Sequence, residues 1–207
     1  MGLFKRLIGQ TRKPEGFFGK LMLNAMNQGH AALSDWGLSH IEGLSPLVVA
    51  ELGCGGGRNV RELLRRYPQS KLYAVDYSAL AVCRTRAYNK PDIVKGRCRA
   101  LKASVQSLPL AASRFDLATA FETVYFWPNP AECFAEVYRI LKCGGSFLIC
   151  NESDGTDAEG LRYERIIEGM HCYTAEELET MLRTAGFSKV QVFRHENKPW
   201  LTVLAKK

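Results

Sequence analysis

The spacing of apolar and polar positions changes repeatedly along the chain, and each change marks an element. Residues 17 to 40, FFGKLMLNAMNQGHAALSDWGLSH, carry apolar side chains at helical spacing broken at Gly29 and Gly37, which predicts two short helices. PLVVAEL (46–52) is an unbroken apolar run, as a strand covered on both faces requires. In RNVRELLRRY, Val60, Leu63, Leu64 and Tyr67 share one side of a helix. KLYAVD (71–76) predicts the next strand, and SALAVCRTRAYN the next helix with Ser78 as its N-cap. ALKASV (100–105), FDLATAF (115–121) and GSFLICNE (145–152) supply three further strands, with a helix over PAECFAEVYRILK (130–142) between the last two.

Strands alternating with helices imply a parallel sheet covered on both faces, and right-handed crossovers make it doubly wound. The end of the chain differs. TAEELETMLRTAG (174–186) is a helix opened by a Thr174/Glu177 capping box and closed by Gly186. KVQVFRH (189–195) and WLTVLAK (200–206) then follow with only a short polar link, too short for a helical crossover, so they pair antiparallel. The expected architecture is α/β: seven strands, mostly parallel, preceded by N-terminal helices. A helical cap or lid over residues 1–45 and a ligand-binding domain over 46–207 divide the chain.

With 207 residues, 46% of them apolar, the chain has material for one full core. Its seven cysteines form no C-x-x-C pair and are odd in number, which argues against a disulfide framework or a structural zinc site. Reduced thiols in a cytoplasmic protein, with no metal site, are expected. The first segment, GLFKRLIGQTRK, is basic and mildly amphipathic but too short in its apolar part for a signal sequence, and no membrane span is expected. The net charge is +7, with Lys95, Arg97, Arg99 and Lys102 near Arg84, Arg86 and Lys90. No aromatic residues interleave with these cations as a strand-reading surface would need, so a solvated face or an anionic small substrate is favoured over nucleic acid.

The chemistry concentrates at VVAELGCGGGRNVRELL (48–64), a strand, a glycine turn and a helix. In open α/β sheets the first such turn lies at the ligand edge, and glycine lets backbone approach a ligand closely. Asp76, at the tip of the next strand, stands where such folds bind a ribose diol. That order also fits a nicotinamide enzyme. The spacing G-x-G-G-G, however, departs from the dinucleotide pattern G-x-G-x-x-G, and Glu51 would repel phosphates while suiting an ammonium-bearing ligand. S-adenosyl-L-methionine carries that ammonium and a ribose but no phosphate.

Here the chain resembles the class I (Rossmann-like) S-adenosylmethionine-dependent methyltransferases of small-molecule type. VVAELGCGGGRN is similar to their first motif, LYAVDYS to the second, ASVQSLPLAASRFDLATAFETVYFW to the third and fourth, and EVYRILKCGGSFLICNE to the entry into the fifth strand. The final antiparallel pair is similar to that fold's reversed last strand. The resemblance implies that Glu51 and the turn Gly53, Gly55 and Gly57 hold the methionine part, Asp76 the ribose, and Tyr77 the adenine. Phe121 would line the methionine chain. Ser104 and Val105 fall at the adenine-amine position, where the family commonly has an acid followed by an apolar residue, and Cys143 replaces a usual proline.

A sulfonium cofactor is already a strong methyl donor, so the protein has chiefly to align an acceptor and exclude water. Glu122, Tyr125 and His30 are the candidates for contacting that acceptor, with His171 near the 153–173 loop. Segments 17–40 and 153–173 flank the expected mouth, and their glycines at 29, 37, 155, 160 and 169, with Trp36, suit a closing lid. A small-molecule acceptor is expected, since FETVYFW lacks the Asn-Pro-Pro-aromatic arrangement of base-modifying relatives. A nucleic-acid or protein methyltransferase and a non-catalytic nucleoside-binding regulator are the alternatives.

Overall fold

The computed structural model describes residues 29–207; the first of the two expected leading helices and the basic amphipathic segment lie outside the described residues. In chain order the elements are α1 (Ala31–Ser39), β1 (Val48–Leu52), α2 (Arg58–Arg66), β2 (Lys71–Asp76), α3 (Ala79–Tyr88), α4 (Lys90–Val94) and β3 (Cys98–Lys102). Then come β4 (Phe115–Phe121), a 3-10 turn (Val124–Phe126), α5 (Pro130–Ile140), β5 (Leu141–Asn151), α6 (Ala158–Ile166), α7 (Ala175–Thr184), β6 (Lys189–Arg194) and β7 (Leu201–Lys206).

The strands make one sheet in the order β3-β2-β1-β4-β5-β7-β6. The first five run parallel, and β7 is antiparallel to both β5 and β6. Successive residues of each strand point to opposite faces, so the sheet separates two apolar layers. Ala50 and Leu52 of β1 join Phe115, Phe134 and Phe147 under α5 and α7. Val49 joins Leu33, Leu38, Val60 and Leu63 on the other side, under α1, α2 and α3.

Two helix ends formed as their residues dictate. Ser78 Oγ accepts from the Ala81 N–H, and Thr174 and Glu177 form the reciprocal capping box. Gly37 corrects an expectation: it does not break a helix but sits inside α1. A Cβ there would lie 2.5 Å from Cys150 Sγ, so the missing side chain lets α1 press against β5. The third strand also differs, ending at Lys102 and not at 105. Lys102 pairs with Asp76, the last residue of β2, and beyond it there is no neighbouring strand to bond. Ser104 and Val105 therefore occupy a turn.

Candidate cofactor and acceptor site

Strand order reverses between β1 and β4, and a pocket opens at their carboxyl ends. The open space there is about 470 Å³, solvent at its mouth included. Glu51, Gly53, Cys54, Gly55 and Gly56 line it from β1 and the following turn. Arg58 and Asn59 come from the start of α2, His30 from the residue before α1, Ser34 from α1 itself, Phe121 from the end of β4 and Glu122 from the residue after it.

Glu51 is 1% exposed and accepts a hydrogen bond from the Thr119 hydroxyl. Burial, reinforced by the nearby Asp76 charge and opposed by that hydrogen bond, pushes its pKa up to about 8. Among the described residues no Lys or Arg pairs with it; Arg58 at the pocket wall is engaged by Asp35, with Nη2 to Oδ1 at 2.7 Å. An acid so placed is suited to receive a ligand cation.

Asp76 lies behind the turn. Oδ2 accepts from the Gly55 N–H at 2.9 Å and Oδ1 from the Ser78 N–H at 2.9 Å. Burial raises its pKa and these two bonds counter the rise. Each oxygen retains a lone pair, as a ribose diol requires. Tyr77 beside it is 40% exposed. Ser104 is exposed and its Oγ accepts from the Gln106 N–H, whereas Val105 is half-buried against the core. With an acid for the ammonium and an acid for the diol, the donor set fits S-adenosylmethionine.

The turn's glycines divide by task. Gly57 has φ 85, caps α2, and a Cβ on it would lie 2.8 Å from the backbone Cα of Thr85. It is outside the pocket lining and serves the packing of α2 on α3. Gly53 has φ 86, and a Cβ there would meet Thr123 Oγ1 at 2.2 Å. Much of the bare backbone expected for a ligand is thus demanded by the protein's own packing. Gly53 nonetheless lines the pocket together with Gly55 and Gly56.

Across the pocket, Glu122 ends β4 at φ 58, a left-handed backbone that costs a non-glycine residue about 1 kcal/mol. Its Oε1 accepts from the Glu152 N–H and from the Tyr125 hydroxyl at 3.2 Å, and that hydroxyl accepts from the Ser153 N–H at 2.9 Å. Tyr125 is buried behind Glu122, outside the pocket lining. Burial, then the Glu152 charge, push Glu122 up to about 8, against the pull of its hydrogen bonds. His30 is held below its ordinary value by burial, opposed by Glu152, whose Oε2 is 3.5 Å from Nε2.

Other candidates lie elsewhere. His171 is set between Glu164 and Glu177 and packs edge-on to Tyr173. Trp36 packs with His40, His195 and Trp200, not in the pocket. Trp127 is core, its indole N–H bonded to Thr123 at 3.1 Å. The expected lid hinges are also corrected. Gly37 and Gly160 lie inside helices, and a Cβ on Gly160 would meet Ser153 Oγ at 2.1 Å; at Gly155 it would meet the Thr174 backbone N at 2.6 Å. These glycines permit close packing. Ser34, Arg58, Asn59 and Glu152 are site residues that reading the chain missed. A helix-start position marks Arg58 and Asn59 after the fact, while Ser34 and Glu152 carry no local signal.

A protein-family model described as "Methyltransferase domain" matches residues 50–149, from β1 through most of β5. Over that segment the chain is similar to the class I, Rossmann-like S-adenosylmethionine-dependent methyltransferases. It is 29% identical over 108 residues to cycloartenol-C-24-methyltransferase 1 of Oryza sativa subsp. japonica, covering 52% of this chain and 31% of that protein. Malonyl-[acyl-carrier protein] O-methyltransferase of Geobacter sulfurreducens is 28% identical over 162 residues, 73% of this chain and 60% of that one. The chain thus spans less than two thirds of these relatives' length. A SAM-dependent methyltransferase of Aquifex aeolicus has the same fold throughout, with TM-score 0.71, 18% identity and coverage of 98% and 97%.

Proposed function

We propose that the protein transfers a methyl group from S-adenosyl-L-methionine to a small-molecule acceptor. The observation carrying this reading is the pocket itself, where a buried Glu51 and the glycine turn line one space together with Glu122 and His30. When bound, the sulfonium supplies an activated methyl group; the chain's task is to hold it and align the acceptor. Glu51 binds the ammonium, the Gly53–Gly55 backbone the methionine chain along Phe121, and Asp76 the ribose hydroxyls. Tyr77, Ser104 and Val105 border the adenine. Glu122 and His30 contact the acceptor, and Tyr125 positions Glu122.

The cluster of basic residues around β3 is partly committed within the protein. Arg86 bonds the Ala100 carbonyl, and Arg97 bonds Asp92 and the Leu64 carbonyl. These commitments favour a small acceptor over nucleic acid. The two relatives act, by their names, on C-24 of cycloartenol and on an oxygen of malonyl-[acyl-carrier protein], so they do not share an acceptor atom. Among the described residues no helix is long and apolar enough to cross a membrane. A cytoplasmic setting agrees with seven free cysteines.

Calorimetry with S-adenosylhomocysteine tests the binding half: saturable heat is expected, weakened about thirtyfold in Asp76→Ala by loss of charged hydrogen bonds. Incubation with methyl-labelled cofactor and separate small-molecule, tRNA, DNA and protein fractions tests the acceptor. Label confined to the small-molecule fraction is expected. Label in a macromolecular fraction alone would overturn the acceptor class, and absence of cofactor heat the whole reading.

A further inference from the structure

We propose that His30, Glu122 and Glu152 form a binding site for a divalent first-row metal ion on the rim of the pocket. One ligand atom from each of the three lies within 4.8 Å of the other two. The three come from separate elements: the residue before α1, the end of β4 and the residue after β5. Their convergence is therefore a product of the fold, not of a run of acids in one loop.

The donor set is one imidazole nitrogen and two carboxylate oxygens. That mixture suits Mn2+, Fe2+ or Zn2+ better than Mg2+ or Ca2+, which prefer oxygen alone. His30 makes no side-chain cap to α1, so its ring is not committed to the helix it precedes. Glu122 is oriented from behind, as metal ligands usually are, by the Tyr125 hydroxyl and the Glu152 N–H on one oxygen. Its second oxygen is left for the ion. Among the described residues no Lys or Arg pairs with Glu122 or Glu152, and the ion-pair partner of Glu152 among them is His30 itself. Two carboxylates drawn together without a cation repel each other, and a doubly charged ion removes that cost.

Two of the three ligands, His30 and Glu122, also line the pocket. An ion there faces the space opposite the glycine turn. Three protein ligands leave coordination positions open, as catalytic sites do, so water or an acceptor oxygen or nitrogen completes the shell. The site's existence does not depend on which acceptor the protein uses.

The test uses the full chain, stripped with EDTA and dialysed, then titrated with MnCl2 followed by electron paramagnetic resonance, and with ZnCl2 followed by calorimetry. One ion per chain is expected for at least one of the two metals. Glu152→Gln and His30→Ala should each weaken it by at least about tenfold. Glu179→Gln, an exposed acid paired with Arg183, should leave it unchanged. Circular dichroism and S-adenosylhomocysteine binding on the same samples show that each variant is folded. Retained cofactor binding with no saturable Mn2+ or Zn2+, or with equal metal affinity in all four proteins, overturns the metal site and leaves the methyltransferase reading standing. Metal binding without cofactor binding does the reverse.

Discussion

At the carboxyl end of the sheet, the β1–β2 side and the β4–β5 side each carry a pair of acids, one of each pair lining the pocket, held by different means. At the first, Asp76 is fixed by backbone N–H groups of Gly55 and Ser78, and Glu51 is sealed under the sheet edge against Thr119. Donors and acceptors come from three neighbouring strands, β2, β1 and β4, and the residues just after them. At the second, Glu122 leans on Tyr125 and on the Glu152 backbone, and its neighbour His30 comes from some ninety residues away. The first edge is built into the sheet and preorganised for a ligand. The second is assembled from the tips of three elements, which is where relatives with one fold diverge in acceptor.

The largest effect should come from the first edge. Gly57→Ala places a Cβ at φ 85 and 2.8 Å from the Thr85 backbone, which cannot retreat as a flexible side chain does. A loss of about 3 kcal/mol or more is expected in urea unfolding, from backbone strain plus overpacking. A loss below about 1 kcal/mol would mean that α2 and α3 are not locked together, and the contrast between the edges would fail.

Next comes a pH dependence confined to the same edge. Glu51 has a folded pKa of about 8, above its ordinary value of 4.5, because burial favours the neutral form. Both states are protonated below pH 4.5, so no penalty exists there. Between about 5 and 8 the native state holds a proton that the unfolded chain has released, and stability falls as pH rises. Glu51→Gln should flatten that slope by up to about 1.4 kcal/mol per pH unit in the ligand-free protein. A cationic ligand reverses the preference for the neutral acid. S-adenosylmethionine binding near pH 7 should then release up to one proton, read by calorimetry in buffers of different ionisation enthalpy, and Glu51→Gln should release less.

Tyr125→Phe probes the second edge. The hydroxyl is buried between Glu122 and the Ser153 N–H, so its removal strands a backbone donor at a cost of about 1–2 kcal/mol. Because it only positions Glu122, cofactor affinity should be unchanged while acceptor turnover drops. A parallel loss of cofactor affinity would show the two edges to be coupled.

The two edges also differ in how far they were legible along the chain. Strand, glycine turn, helix, strand and acid are consecutive, so β1, α2, β2, Glu51 and Asp76 follow from local periodicity and from where ligands sit in α/β sheets. The antiparallel pairing of the last two strands was legible for the same reason, through the shortness of their link. What local pattern could not convey is contact across distant segments. Gly37 reads as a helix breaker until Cys150 is seen against it, and Gly53 reads as ligand room until Thr123 fills it. The end of β3 is set by the end of β2, not by its own residues. Glu152 had no signal at all, because its significance comes from His30 and Glu122 arriving beside it.

Glu152→Gln is the smallest expected change and the sharpest on the comparison. Its side chain is 54% exposed, its carboxylate meets only the half-buried His30 at 3.5 Å, and its bond to Glu122 is made by the backbone N–H, which the substitution keeps. An exposed ion pair contributes about 0–1 kcal/mol, and the amide retains the shape of the acid. Stability should therefore move by no more than about 0.5 kcal/mol. It should also gain slightly, not lose, near neutral pH, because removing the Glu152 charge relieves Glu122 of a like-charged neighbour. A loss of more than about 1 kcal/mol would show that the rim acid supports the fold in the way Asp76 does. A change this small alongside a clear loss of acceptor turnover would instead mark the rim as the part of the molecule shaped for the acceptor and not for the sheet.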